Sequence, residues 1–449
     1  MRKRMKQLTG ILLALLLLIS VAGASGAPVY AGGDGEDEPG IIWQTSDLWL
    51  LPGSIAYPAI YFDKPVNNVN LYFWSHADND WVWHQTCVKL DTSGDAWYGE
   101  VNPEFWAEDY ITLRFAAAFD GGVVYSKEFT VEWTDYYGFE RIAGSNRYET
   151  AQKISDTRRL VTGGLMSKYD NVIIACGTNF ADALGGAYLA ECFDAPILLV
   201  NNNQDVIDEV VMEIMSNLAD GGKIFILGGE GAVSGDMEKR LAAGGFSASQ
   251  IVRFAGKNRY DTNLQILKYC EVYRLDILVC SGKDFPDALS ASAVGLPILL
   301  VGDSISDEDF ETIGSMKGTS FTIIGGPGAV SEKVEKQLKD RMGAENVGRI
   351  AGDNRYQTSV KVASQFFADK QRFYITLAYG RNFPDGLAGG PLCLALRPGA
   401  PLILADNTHY LDAEIAAAEV GARFAFVLGG ETLISDEVAD RILHHPDLS

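Results

Sequence analysis

Between residues 41 and about 135, apolar and polar positions tend to alternate in short runs: VNLYFWSH, WVWHQTCVKL, YITLRFAAAF and VVYSKEFTVEW, separated by HADND, DTSGD and DGG. Partial period-two alternation, rich in aromatic and β-branched residues with turn residues between the runs, predicts strands, and the whole predicts a β-sandwich domain over 41–138. After Arg141 the pattern changes. NVIIACG, APILLV and KIFILGG are short apolar runs bounded by glycine or a turn, and FADALGGAYLAECF and DVIDEVVMEIMSNL between them read as helices. Strands alternating with helices predict parallel sheets covered on both faces.

The second pattern occurs three times. RIAGSNRYET at Arg141 returns as RFAGKNRYDT at Arg253 and RIAGDNRYQT at Arg349. In the same order NFADAL returns as DFPDAL and NFPDGL, APILLV as LPILLV and APLILA, and ILGGEGAVS as IIGGPGAVS and VLGGETLIS. Spacings of 112 and 96 residues exceed a solenoid repeat and suit a small domain each. The chain is therefore expected to be multidomain: a signal and cleavage region (1–31), an acidic linker (32–40), the β-sandwich (41–138), and α/β repeats at 139–252, 253–348 and 349–449.

Each landmark has a local reading. Asn146, Asn258 and Asn354 suit helix N-caps, with the Glu, Asp or Gln three residues on reaching back to the asparagine's own amide. Arg147, Arg259 and Arg355 then fall in a first helical turn, where the helix dipole disfavours a cation. Each calls for an anionic partner: either Asp182, Asp287 and Asp385 of the FxDxL landmark, or an anionic ligand. Those aspartates stand where a strand passes into a helix, as ligand groups of α/β folds do, and as ordinary first-turn carboxylates also do. PILL reads as a buried strand. No GxSxG, HExxH or Cys/His pair stands out, and like groups repeated at three places do not make one catalytic site, so no enzyme, cofactor or metal is expected.

Together RxAGxNRYxT, FxDAL, PILL and LGGxxAVS resemble the cell wall binding repeat 2 family of Gram-positive surface proteins, over roughly 310 residues from Phe139. The resemblance implies three Rossmann-like or Toprim-like domains packed about a pseudo-threefold axis, anchoring the chain noncovalently to an anionic, teichoic acid-like secondary wall polymer. By position it implies polymer-binding roles for Arg147, Arg259, Arg355, Asp182, Asp287 and Asp385. PLIL and GGETLIS depart from the pattern, so the third turn and sheet edge are expected to differ.

Charge and ends refine this reading. RKRMK, ILLALLLLISVAG and the small residues Ala22, Ala24 and Ala27 form a secretory signal pattern; an uncleaved membrane anchor is the other reading. No later segment looks membrane-spanning, and the tail HHPDLS carries no covalent-attachment pattern, so retention at the surface is expected to be noncovalent. The formal charge is minus 22, and residues 32–140 alone carry 19 acids against 4 bases. That disfavours nucleic acid, whose binding rests on many cations. The six cysteines, scattered without a CxxC pair, read as buried thiols.

All eight tryptophans lie between Trp43 and Trp133. Trp81 and Trp83 alternate on one predicted strand face, with Trp97 and Tyr98 on a nearby strand. They suit either a core or a glycan-stacking surface, and the domain weakly resembles starch-type carbohydrate-binding modules; an immunoglobulin-like adhesion or spacer domain meeting a host partner fits too. An exported enzyme localised by the repeats is the alternative for the whole chain.

Overall fold

The computed structural model describes residues 39–44, 48–50, 58–75, 80–90, 95–101, 110–133, 138–163, 168–180, 182–272, 276–316, 320–368, 373–396 and 399–444. The expected signal region and all but the last two linker residues lie outside them. The chain divides into two compact units between Tyr136 and Tyr137.

The first unit holds β1 (Ile41–Gln44), β2 (Leu48–Leu50), β3 (Ala59–Phe62), β4 (Asn68–Ser75), β5 (Asp80–Thr86), β6 (Val88–Leu90), β7 (Asp95–Tyr98), β8 (Tyr110–Phe119), β9 (Gly122–Tyr125) and β10 (Phe129–Trp133). One sheet runs β1-β3-β7-β6; the other runs β2-β10-β8-β4-β5, with β9 on β8. Alternation holds where it is clearest. Val69 and Leu71 on β4 and Ile111, Leu113 and Phe115 on β8 point into one apolar cluster, with Ile60, Phe62 and Trp97 of the other sheet.

The second unit holds β11 (Gly138–Ile142), β12 (Tyr169–Cys176), β13 (Ile197–Val200), β14 (Leu218–Leu227), β15 (Ile251–Phe254), β16 (Ile277–Ser281), β17 (Ile298–Val301), β18 (Phe321–Ile324), β19 (Val347–Ile350), β20 (Tyr374–Tyr379), β21 (Leu402–Ala405) and β22 (Phe424–Leu428). They form three four-stranded sheets, ordered β13-β12-β14-β15, β17-β16-β18-β19 and β21-β20-β22-β11. All pairs are parallel. PILL, PILL and PLIL supply β13, β17 and β21, which are buried throughout, as a strand covered on both faces must be.

Sheet and sequence repeat are offset by one strand. The RxAG segment opening copy two is the edge strand of copy one's sheet, and the segment opening copy three closes the sheet of copy two. The segment opening copy one, β11, pairs with β22 near the far end of the chain, from Gly138↔Phe424 to Ile142↔Leu428. Helix contacts follow the same cycle: Arg147–Gly163 packs on Pro384–Ala395, Arg259–Tyr269 on Gly186–Phe193, and Arg355–Phe367 on Pro286–Ala291. One apolar cluster includes Ile173 and Leu189 of copy one, Leu278 and Leu289 of copy two, and Leu377 and Leu392 of copy three.

The first arginine of each landmark fastens the borrowed strand. Arg141 donates to the carbonyls of Gly429 (2.9 Å) and Ile434 (2.7 Å) and to Asp436 Oδ1 (2.7 Å). Arg253 binds Gly228, Val233 and Glu238, and Arg349 binds Gly325, Val330 and Glu335. These guanidiniums are largely buried. Arg141→Ala should therefore lower the stability of the repeat unit by about 2–4 kcal/mol, because turn carbonyls and a carboxylate lose their donors. Denaturant unfolding followed by far-ultraviolet circular dichroism checks this; an unchanged midpoint would show that the clamp does not hold the seam.

Candidate functional site

Most of the landmark RxAGxNRYxT builds a helix start. Asn146 Oδ1 accepts from the amides of Tyr148 (2.9 Å) and Glu149 (3.0 Å), and Asn258 and Asn354 do the same in their copies. The return bond differs from the expected one: Glu149, Asp261 and Gln357 reach the amides of Ser145, Lys257 and Asp353, one residue before the cap. Bonds from the Ser145 hydroxyl and amide, then Lys153, hold the Glu149 carboxyl down at about 2. Thr150, Thr262 and Thr358 accept from the amides of Gly144, Gly256 and Gly352. A Cβ on those glycines would stand 2.3–2.7 Å from the threonine amide, which explains why only glycine fits.

At the carboxyl ends of the strands, the FxDxL segment after the first strand of each sheet meets the GG turn after the third. In an order of 2-1-3-4 this is where the connections diverge, the usual place for a crevice in a parallel sheet. The aspartates lie against the first glycine of their own copy's turn. A Cβ would come within 2.6 Å of Asp182 Oδ2 at Gly228 and 2.5 Å of Asp385 Oδ2 at Gly429. These glycines also have φ of 97°, 106° and 94° at positions 228, 325 and 429, so backbone and space both demand glycine. The third turn thus keeps the shape of the other two, contrary to the expectation from GGETLIS. Asp287 and Asp385 are first-turn residues of their helices. Burial pushes the Asp287 carboxyl up to about 6, with Asp284 adding to the shift and Arg355 opposing it; burial also raises Asp385, opposed by Arg147.

The second arginines face across copies. Arg147, Arg259 and Arg355 each donate to a carbonyl at the end of their own copy's first strand, Gly177 (2.6 Å), Gly282 (2.7 Å) and Gly380 (2.8 Å). Their guanidinium carbons then lie over the landmark phenylalanine of another copy: Arg147 over Phe383 (6.0 Å), Arg259 over Phe180 (5.5 Å) and Arg355 over Phe285 (5.6 Å). The three phenylalanines meet one another, with centroids 5.4–5.9 Å apart. Arg147 therefore acts on Asp385 and Arg355 on Asp287, each across copies. Among the described residues no direct ion pair joins these arginines to Asp182, Asp287 or Asp385; Arg355 pairs with Asp284, at 3.4 Å. Between copies one and two, Asn179, Asp182, Gly229, Asn258 and Arg259 line a cleft of about 220 Å³.

Copy three carries a cluster that no landmark announced. Asp406, at the end of β21, accepts from the Tyr356 hydroxyl, Arg381 Nε (2.7 Å) and the amides of Thr408 and His409. The His409 ring stacks on Tyr356 at 4.6 Å. Burial opposes ionisation of Asp406, but the bonds from Thr408, Tyr356 and Arg381 hold its carboxyl well below the usual range. The cluster is closed on itself. No group of His, Cys, Asp and Glu able to hold a metal occurs among the described residues.

In the first unit the four singled-out aromatics part company. Trp97 is buried in the core, and Tyr98 lies beside it on the β1-β3-β7-β6 sheet. Trp81 and Trp83 lie on the other sheet, paired across β4 with Trp74 and Tyr72. Trp81 meets Trp74 edge-on at 5.6 Å, Trp83 is 56% exposed, and the Arg114 guanidinium stacks between the rings of Trp81 (4.2 Å) and Tyr125 (4.6 Å). Register was the missing signal, since it decides which rings share a face.

The second unit thus repeats one α/β arrangement three times, with like groups at three places rather than one converging site. The model of cell wall binding domain 2 matches residues 141–238, 253–335 and 349–439, more than half of the chain, and the chain belongs to that family. It is a cell wall protein of the cell surface. It is 27% identical over 310 residues to the N-acetylmuramoyl-L-alanine amidase LytC of Bacillus subtilis (strain 168), covering 68% of this chain and 58% of that protein. It is 29% identical over 311 residues to the amidase enhancer of the same organism, covering 68% and 40%. The chain thus spans about half the length of these curated relatives. Among solved structures, Cwp6 from Clostridium difficile has a TM-score of 0.63 at 21% identity, covering 88% of this chain and 66% of that one. Cwp8 from the same organism has 0.59 at 23%, covering 75% and 60%. At such identities these two structures speak for the fold. No helix among the described residues is long and apolar enough to cross a membrane.

A carboxyl raised on folding favours the folded state only while it is protonated. Well below about pH 4 Asp287 is neutral both folded and unfolded; from about pH 4 the unfolded chain ionises while the folded one resists, until near pH 6 the folded chain too carries a buried charge. Asp287→Asn should gain on the parent by about 2–3 kcal/mol between pH 4 and pH 7. Denaturant titrations at both values check this; a constant difference would mean that the carboxylate is well solvated.

Proposed function

We propose that the three repeats, arranged about a pseudo-threefold axis, hold the exported protein noncovalently at the wall by binding an anionic secondary polymer through Arg147, Arg259 and Arg355, in a non-enzymatic role. The cyclic placement of the arginines carries this reading. Among the described residues Arg147 and Arg259 each make one hydrogen bond, leaving most of a five-donor fork to face a crevice beside an aromatic ring. Three such groups suit a polymer of repeating charge, since linked modest sites gain about 10²- to 10⁴-fold in apparent affinity. The net charge of minus 22 does not forbid it, because screening acts over about 8 Å at physiological salt. Asp182, Asp287 and Asp385 shape the crevices by packing under the GG turns. The FxDxL crevices repeat like groups, which speaks for binding rather than for bond-making.

The first unit we read as a β-sandwich that presents a glycan-binding face, supported by the row Trp74, Trp81, Trp83 and Tyr72 with Arg114 beside it. Flat rings on an outer sheet face suit the apolar faces of sugars. Trp97, in the core, has no part in this face.

Replacing Arg147, Arg259 and Arg355 together by Gln should lower retention on isolated walls by at least about tenfold, with an unchanged circular dichroism spectrum, and single replacements should do less. Full retention by the folded triple variant would remove these side chains from the site. Parent protein should also fail to bind walls stripped of anionic polymer. In a glycan panel, a bound sugar should quench tryptophan fluorescence, and Trp83→Ala should abolish most of that quenching; a flat response from the parent would refute the glycan face.

A further inference from the structure

Four of the six cysteines, Cys87, Cys176, Cys280 and Cys393, are buried as the sequence suggests, but Cys192 is exposed and Cys270 only half-buried. These two come from different copies. Cys192 lies in the last turn of helix Gly186–Phe193 in copy one, and Cys270 is the C-cap of helix Arg259–Tyr269 in copy two. The helices pack together, and their chain ends meet: the rings of Phe193 and Tyr269, neighbours of the two cysteines, are 5.5 Å apart. Both helices stop there, with Asp194 (φ 47°) and Glu271 (φ 50°) in left-handed conformations. Tyr188, one turn before Cys192, belongs to the apolar cluster of copy two, and Cys270 packs against that same cluster, so the two thiols act on each other's ionisation.

We infer that Cys192 and Cys270 form an oxidisable dithiol whose disulfide braces copy one to copy two. The two thiols are not equivalent. Cys270 holds Cys192 down, against burial and with help from Tyr188, whereas Cys192 and burial push Cys270 up. Cys192 is thus the exposed and more acidic thiol, which attacks once deprotonated, and Cys270 the thiol that resolves. With a low-molecular-weight disulfide as oxidant, Cys192 Sγ attacks one oxidant sulfur and expels the other as a thiolate. Cys270, giving up its proton to that leaving thiolate or to water, then attacks Cys192 Sγ and expels the second. Two protein thiols lose two electrons and one external disulfide gains them. A wall-located protein meets oxidants that a cytosolic one does not. The bridge would close a long loop across the seam between the two copies, where a cross-link constrains the unfolded chain most.

Reduced full-length protein, freed of reductant and treated with oxidised glutathione, should lose two of its six thiols to maleimide titration in denaturant. Proteolysis should yield a reductant-sensitive fragment joining Cys192 to Cys270, and the oxidised chain should unfold at a higher temperature than the reduced one. Cys270→Ser should stop at a glutathione adduct on Cys192, and Cys192→Ser should form no adduct on Cys270. All six thiols surviving, or the parent stopping at the same adduct as Cys270→Ser, would overturn the dithiol. A cross-linked chain that melts no higher would overturn the brace.

Discussion

The parallel pairing of β11 with β22 is the constraint on which the repeat unit depends. Every sheet here takes its fourth strand from outside its own copy, and the third sheet takes it from the segment before the first helix. Without that segment β22 would present an open row of backbone groups, an edge that proteins ordinarily cover. The cycle closes because β22 of copy three pairs with the strand that opens copy one, and the copies share one apolar cluster. They are three by sequence and joined by this shared cluster, while copies one and two also keep clusters of their own.

The same offset divides the labour between the two arginines of each landmark. The first lies on the borrowed strand and is used up on the carbonyls and acid of the neighbouring turn. The second opens the following helix and so projects over the neighbouring copy's phenylalanine. A cation in a first helical turn is disfavoured by the helix dipole, but a strand-end carbonyl, an aromatic face and a nearby buried carboxyl offset this. Six arginines with one spacing therefore do two unlike things. The seam arginines are satisfied; the crevice arginines keep donors in reserve.

Much of this was legible beforehand. The three copies, their strand and helix order, the asparagine caps and the burial of PILL all follow from local spacing and periodicity, and the structure places them as read. Less legible were the glycines. Gly228, Gly325 and Gly429 look like ordinary turn residues until the aspartate packed against each is seen. The third copy's altered turn letters changed nothing, because the left-handed glycine and the helix-capping Ser435 were both kept. Trp97 and Trp81 were indistinguishable by residue type, since alternation says that two faces exist and not which is covered.

Alone, the amino-acid order determined the elements, the triplication, the helix starts and membership of a wall-binding family, all of which depend on residues close together along the chain. Tertiary structure alone decided that each sheet borrows a strand, that Arg355 looks to Asp287 rather than Asp385, that three phenylalanines meet, and that the helix ends carrying Cys192 and Cys270 come together. Periodicity records how deeply a residue is buried and which way it faces. It does not record the identity of the partner, which is set when segments hundreds of residues apart close into a ring.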